Sequence, residues 1–156
     1  MTTQTVVDFA DVASVVGTTL GPSEWIEITQ DRIDTFADAT DDHQWIHVDP
    51  ERAKQGPFGA PIAHGFLTLS LLIPMWSELF DVSGVKTKVN YGLEKVRFPA
   101  PVMVDSRVRL QVTIAEVTEL APGTYQLIFD PVVEVEGQDK PACAARIVFR
   151  FIGETK

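Results

Sequence analysis

The residues that could do chemistry lie in the first half of the chain. Asp42 and His47 stand five apart in the run Asp41-Asp42-His43-Gln44-Trp45-Ile46-His47-Val48-Asp49-Pro50, just beyond a short helical pattern. Side chains five apart do not share a regular helix face, but in a loop they can converge. Downstream, His64-Gly65 opens a long apolar run. A carboxylate, an imidazole and a glycine amide at a buried helix start suffice for adding water to an activated double bond, or for removing it. Water must lose a proton near neutral pH, which suits a histidine or a carboxylate of raised pKa. Charge that builds on a carbonyl oxygen needs a donor held there beforehand, and a helix N-terminus supplies unpaired amides and partial positive charge. On that basis the chain reads as an enzyme.

Composition bounds the alternatives. A chain of 156 residues fits one domain with a real core, and 45% apolar with 22% charged residues is ordinary for a soluble globular protein. The formal net charge of −9 argues against nonspecific nucleic-acid binding and against attraction to anionic membranes. Cys143 is the only cysteine, so neither an internal disulfide nor a cysteine cage for metal is available. Its alternating neighbours make it a small buried strand residue. The three histidines lack the spacing of a metal site, so no metal is expected. No basic-then-apolar leader is visible, and the most apolar run, 66–80, is too broken to span a bilayer. These features together read as a cytoplasmic protein.

The elements that must position the site follow from periodicity and caps. Residues 1–16 suggest a loosely attached arm or a short helix. Glu24 to Ile28 reads as a short strand. Thr29 is a helix N-cap, and Ile33, Phe36 and Ala37 give the helix one apolar face that stops near Ala39-Thr40. Asp42 and His47 then fall in a loop. Asp49-Pro50 starts a second helix, and Gln55 to Pro61, with two Gly and two Pro, is a loop. From Ala63 the chain is apolar on nearly every side, as in a helix buried all round. Pro74 frees the carbonyl of Ser70, so that helix should bend. Beyond it, Val108–Ile114, Tyr125–Val135 and Ile147–Phe151 alternate as half-buried antiparallel strands, with turns at Pro122-Gly123 and at 137–141. An antiparallel sheet wrapped around one long apolar helix is an α+β architecture.

With these residues in view, the chain resembles the MaoC-like dehydratases, the family of R-specific enoyl-CoA hydratases with the hotdog fold. The resemblance rests on Thr40-Asp41-Asp42-His43-Gln44-Trp45-Ile46-His47 followed by Asp49 and Ala53. It continues through Pro61-Ile62-Ala63-His64-Gly65, then Asn90-Tyr91-Gly92, Lys95-Val96-Arg97-Phe98 and Pro101-Val102. Together these span roughly residues 25 to 105. The chain departs from the family pattern at Asp41, where glycine is usual, and at Gln44 and Trp45, where Asn and Pro are usual.

The resemblance implies a single hotdog domain over 1–156, with Asp42 and His47 jointly activating water and the Gly65 amide binding the thioester oxygen. The reaction would add water to a trans-2-enoyl thioester to give the R-3-hydroxyacyl thioester, or run in reverse. The substrate would be an acyl-CoA or an acyl-carrier thioester, with no other cofactor, and the protein would be a homodimer in fatty-acid or polyketide metabolism. For substrate contact the candidates are His64, Asn90, Lys95, Arg97 and Trp45. Within that set His64 positions its loop more than it reacts, Lys95 and Arg97 either meet phosphates or form a solvated face, and Trp45 shapes the acyl entrance. Two alternatives keep the fold. One is an acyl-CoA thioesterase, against which stands the lack of an acid on the central helix other than Glu78. The other is a non-catalytic partner subunit of a heterodimeric dehydratase, against which stands the presence of both Asp42 and His47.

Overall fold

Alternation dictates the sheet that the chain forms. A computed structural model describes residues 2–153. In β6 (Arg107–Ala121) Val108, Leu110, Val112 and Ile114 all turn inward and are buried, while Arg107 and Gln111 face out. The same parity buries Leu127, Phe129, Val133 and Val135 of β7 (Thr124–Val135), and Ile147, Phe149 and Phe151 of β8 (Cys143–Gly153). These strands pair antiparallel with β2 (Thr19–Leu20) and β5 (Val85–Arg97), in the order β2-β6-β7-β8-β5. The short β3 (Ile26–Glu27) adds to β6 beside β2, so only two residues of the expected strand 24–28 enter the ladder. The turns fall at Pro122-Gly123 and over 136–142, as the sequence indicates.

The concave face closes on the apolar helix. Trp76 lies against Phe129, with ring centroids 3.9 Å apart, and against Phe80 at 4.8 Å. Such aromatic pairs contribute about 0.5–1.5 kcal/mol each beyond the area they bury. The convex face is wet and carries ion pairs. Arg107 meets Glu136, Arg109 meets Glu134, and Arg146 reaches Glu94, Glu116 and Asp130. Half-exposed pairs of this kind stabilise little, so burial holds the sheet to its helix. Cys143 is fully buried, and burial pushes its thiol up to about 11, leaving it unreactive near neutral pH.

The helices start where capping chemistry puts them. Thr29 Oγ1 accepts the Arg32 amide at the head of α1 (Gln30–Thr40), and Asp49 accepts the Arg52 amide at the head of α3 (Pro50–Lys54). Between them lies α2 (Trp45–Val48), a single turn where a loop was expected. The central helix is in two pieces, α4 (Gly65–Ser70) and α5 (Leu72–Leu79), broken at Leu71. Pro74 is the third residue of α5, where a missing N–H costs nothing, and its ring keeps the Ser70 carbonyl out of the ladder. The bend therefore sits just upstream of the proline. No helix among the described residues is long and apolar enough to cross a membrane.

The N-terminal arm is packed, which corrects the expectation that it hangs loose. β1 (Thr5–Asp8) pairs in parallel with β4 (Phe80–Ser83), and a 3-10 helix over Phe9–Val15 follows. Val12 and Val15 join the main core, and Phe9 packs edge-on to Tyr125. Val12→Ala should cost about 2 kcal/mol, from two buried methyl groups and the space they leave. Val16→Ala, at a position 47% exposed, should change stability by less than about 0.5 kcal/mol. Urea unfolding of the two variants beside the wild type checks both.

Candidate active site

Three polar side chains converge where α1 ends, α2 begins and α4 begins. One ligand-type atom from each of Asp42, His47 and His64 lies within 4.8 Å of the other two. The turn that delivers Asp42 is set by Asp41, which adopts φ 58, ψ 23. That left-handed conformation suits glycine best and aspartate better than most residues. Asp42 is exposed and accepts the Gln44 amide weakly, at 3.4 Å.

His47 is 6% exposed, and His64 is 3% exposed. His47 donates Nδ1–H to the Ile62 carbonyl at 2.6 Å. A carbonyl can only accept, so Nδ1 carries the hydrogen and the neutral ring presents an unprotonated Nε2. From α1, Gln30 donates its side-chain N–H to the His47 carbonyl at 2.8 Å, holding the short α2 in place. His64 donates Nε2–H to the backbone carbonyl of Asp42 at 2.9 Å, and its ring stacks on that of His47 with centroids 3.9 Å apart and planes 22° from parallel. The Phe36 ring closes over His64 from the α1 side at 4.9 Å.

The strand-like segment 61–63 braces this group. Ile62 N–H bonds to the Ile46 carbonyl, Ala63 N–H to the Val102 carbonyl, and Val104 N–H to the Pro61 carbonyl. Gly65, the first residue of α4, lines a cavity of about 310 Å³ with Phe58, Ile62, Thr68, Phe98 and Val102. A Cβ at residue 65 would meet the Phe98 ring at 3.0 Å, so glycine lets the ring lie against the helix start. Asp42 and His47 are not among the residues lining this cavity; Ile62, which accepts from His47, joins the two regions.

The remaining candidates scatter. Asn90 lines a different cavity, about 300 Å³, beside Leu69, Ser70, Ile73 and Leu93. Lys95 and Arg97 are exposed on β5, and Arg97 donates to its neighbour's carbonyl, the arrangement of a solvated strand face. Trp45 packs on Gly56 beneath the Arg52 guanidinium, 4.3 Å from its ring, and does not line the Gly65 cavity, contrary to an entrance role there. His43 is exposed, and its hydrogen bond to Asp38 raises its pKa. Glu78 accepts the Glu24 amide at the far end of α5. Phe98, Phe36 and Gln30 complete the site without having been singled out from the sequence. Phe98 falls within the family-like run 95–98, and that was the one available signal.

Burial is the main reason that the pKa of His47 is lowered, with His64 adding to it, while the Ile62 carbonyl and Asp42 oppose it. A base whose folded pKa lies below 6.5 is protonated more readily in the unfolded chain. Its contribution to stability is therefore full above pH 6.5 and is lost as pH falls through the lowered value. Between pH 7 and 5 the wild type should lose stability relative to His47→Gln, with a slope of at most about 1.4 kcal/mol per pH unit. Chemical denaturation across that range measures it.

Comparison with known proteins bears on the family and the fold. Residues 11–127 match the model of the MaoC-like domain family. The chain is 54% identical over 143 residues to 3-hydroxyacyl-thioester dehydratase Z of Mycobacterium tuberculosis, covering 92% of this chain and 95% of that one. It is 46% identical to nodulation protein N of Rhizobium leguminosarum bv. viciae, covering 89% and 88%. In structure it is similar to the (R)-hydratase of A. caviae, with a TM-score of 0.67 and 23% identity over 86% of this chain and 94% of that one. Matched by one family over most of its length, and more than half identical to a dehydratase over nearly all of it, the chain belongs to the MaoC-like dehydratases and has the hotdog fold.

Proposed function

We propose that this protein is a hydro-lyase that interconverts a trans-2-enoyl thioester and its R-3-hydroxyacyl thioester, with Asp42 and His47 as the acid-base pair. The observation that carries the reading is the tautomer of His47. Its Nδ1–H is tied to Ile62, which leaves Nε2 free, a ring nitrogen lies within 4.8 Å of an Asp42 carboxylate oxygen, and burial favours the neutral ring. In hydration, His47 and Asp42 together hold the water, and one of them takes its proton as oxygen bonds to C3. The C2–C3 π electrons move toward the thioester oxygen, which the Gly65 amide meets at the N-terminus of α4. Among the described residues no backbone partner takes that amide. The proton then returns from the same pair to C2. Names of relatives such as 3-hydroxyacyl-thioester dehydratase support a thioester substrate. Either coenzyme A or an acyl carrier protein fits as its carrier, and no further cofactor is needed.

The proposed mechanism calls for no metal, although Asp42, His47 and His64 bring ligand-type atoms within 4.8 Å of one another. A coordinated ion lies in the plane of each imidazole that binds it, and the near-parallel planes of His47 and His64 do not meet near their nitrogens. Thioester hydrolysis is also poorly served, because Glu78 is engaged at the far end of α5.

The fold leaves β5 as a thirteen-residue edge, with Val89, Tyr91 and Leu93 exposed on it. An unpaired edge of that length invites pairing with another chain, and a second copy of this one is the proposed occupant. Sedimentation should give a dimer for the wild type and half that mass for Leu93→Asp.

The catalytic reading is tested by the loss of enoyl absorbance with crotonyl-CoA or a longer analogue. Asp42→Asn and His47→Gln should each lower kcat by about 10²- to 10⁴-fold, the range for a positioned acid or base. Full activity in both variants, or release of free thiol without hydration, overturns the assignment.

A further inference from the structure

His64 is buried beside the pair, and the mechanism above gives it no step. Its Nε2–H is spent on the Asp42 carbonyl, while its Nδ1 is buried without a partner among the described residues. A buried acceptor left unpaired costs about 1–3 kcal/mol. A phenylalanine would fill the same slot between His47 and Phe36 without that cost. The hydrogen bond from Nε2 to the Asp42 carbonyl offsets that cost only in part, so fold stability does not by itself single out an imidazole here.

Geometry supplies the account. The Nε2–H of His64 holds the main chain of Asp42, its ring face holds the ring of His47, and its own carbonyl accepts the amides of Leu67 and Thr68 at the head of α4. Gly65 follows it directly. One residue thus links all three groups assigned to the reaction, across separations of 22, 17 and one residue. We infer that His64 is a positioning residue that sets the rate by fixing Asp42, His47 and Gly65 relative to one another, without itself contacting the substrate. The inference rests on the catalytic roles proposed above.

Two substitutions separate its functions. His64→Phe keeps the stacked, buried ring and removes the donor to Asp42. His64→Gln offers a donor near the former Nε2 position but removes the stack. The titratable groups facing His47 are Asp42, from the turn after α1, and His64 itself. The other neighbours are neutral or backbone: Gln30, which also holds Asp34, and the Ile62 carbonyl.

Crotonyl-CoA hydration should show kcat reduced at least about tenfold in both variants, with KM within about threefold of wild type. Nitrogen NMR of the His47 ring reads the same question without activity. The Nδ1–H tautomer should persist in His64→Phe, and in His64→Gln the titration midpoint of His47 should move up toward the ordinary histidine value. Wild-type kcat in both variants, or a raised KM with kcat unchanged, overturns the inference, the latter by making His64 a substrate contact. Should the wild type itself fail to hydrate enoyl thioesters, the catalytic reading falls. The NMR result then decides alone: a His47 titration and tautomer unchanged in both variants overturns the positioning role, and a shift in His64→Gln supports it.

Discussion

The hydrogen bond from His47 Nδ1–H to the Ile62 carbonyl, 2.6 Å long, fixes which nitrogen of the imidazole is free. The proposed chemistry depends on that choice, because only an unprotonated ring nitrogen can take a proton from water. The carbonyl is in the right place because residues 61–63 run extended between Ile46 on one side and Val102 on the other. A loop free to rotate would let the carbonyl turn away and the ring change tautomer. The short segment between the glycine- and proline-rich loop and α4 thus sets the tautomer of His47, although none of its side chains carries a reactive group.

Charge is distributed to the same end. The chain carries a formal net charge of −9, yet the buried imidazoles meet one carboxylate, Asp42, which is exposed. Acidic residues of the sheet are held on its convex side, where Arg107, Arg109 and Arg146 pair with the half-exposed carboxylates of Glu136, Glu134, Glu94, Glu116 and Asp130. Had one of these carboxylates faced inward beside His47, attraction would have raised the ring's pKa and left it protonated at neutral pH. The twofold alternation of β6, β7 and β8 prevents this, since every second residue is committed to solvent. The strand pattern therefore bears on the proton affinity of the site as well as on the core.

Much of the fold was legible because each signal was local. Thr29 and Asp49-Pro50 announce helix starts by capping chemistry, and the parity of Val108 to Ile114 announces a half-buried strand. The approach of Asp42 to His47 was legible through residue type and spacing, and the family resemblance supplies the roles proposed for them and for Gly65. What stayed hidden was long-range. The parallel pairing of Thr5–Asp8 with Phe80–Ser83 joins segments some 75 residues apart, and neither strand alternates long enough to be recognised. The stack of His64 on His47 and the ring of Phe98 over Gly65 likewise depend on tertiary approach alone. The packing of Trp45 on Gly56 beneath Arg52 was also not visible in the sequence.

The polar group and the apolar cavity share backbone but differ in the side chains they use, and this has a consequence for specificity. Asp42, His47 and His64 are drawn from 42–64, with their braces from α1 and residues 102–104. The cavity beside Gly65 takes its walls largely from Phe58, Phe98, Pro101, Val102 and Ala142. None of those five side chains hydrogen-bonds to Asp42 or His47 or sets their charge. Their size can therefore change the space beside the helix start while the tautomer of His47 stays fixed by Ile62. Gly65 is the exception, since a methyl group there would press on Phe98 and shift the amide together with the wall. At Gly65 the shape of the cavity and the position of the backbone amide cannot vary independently.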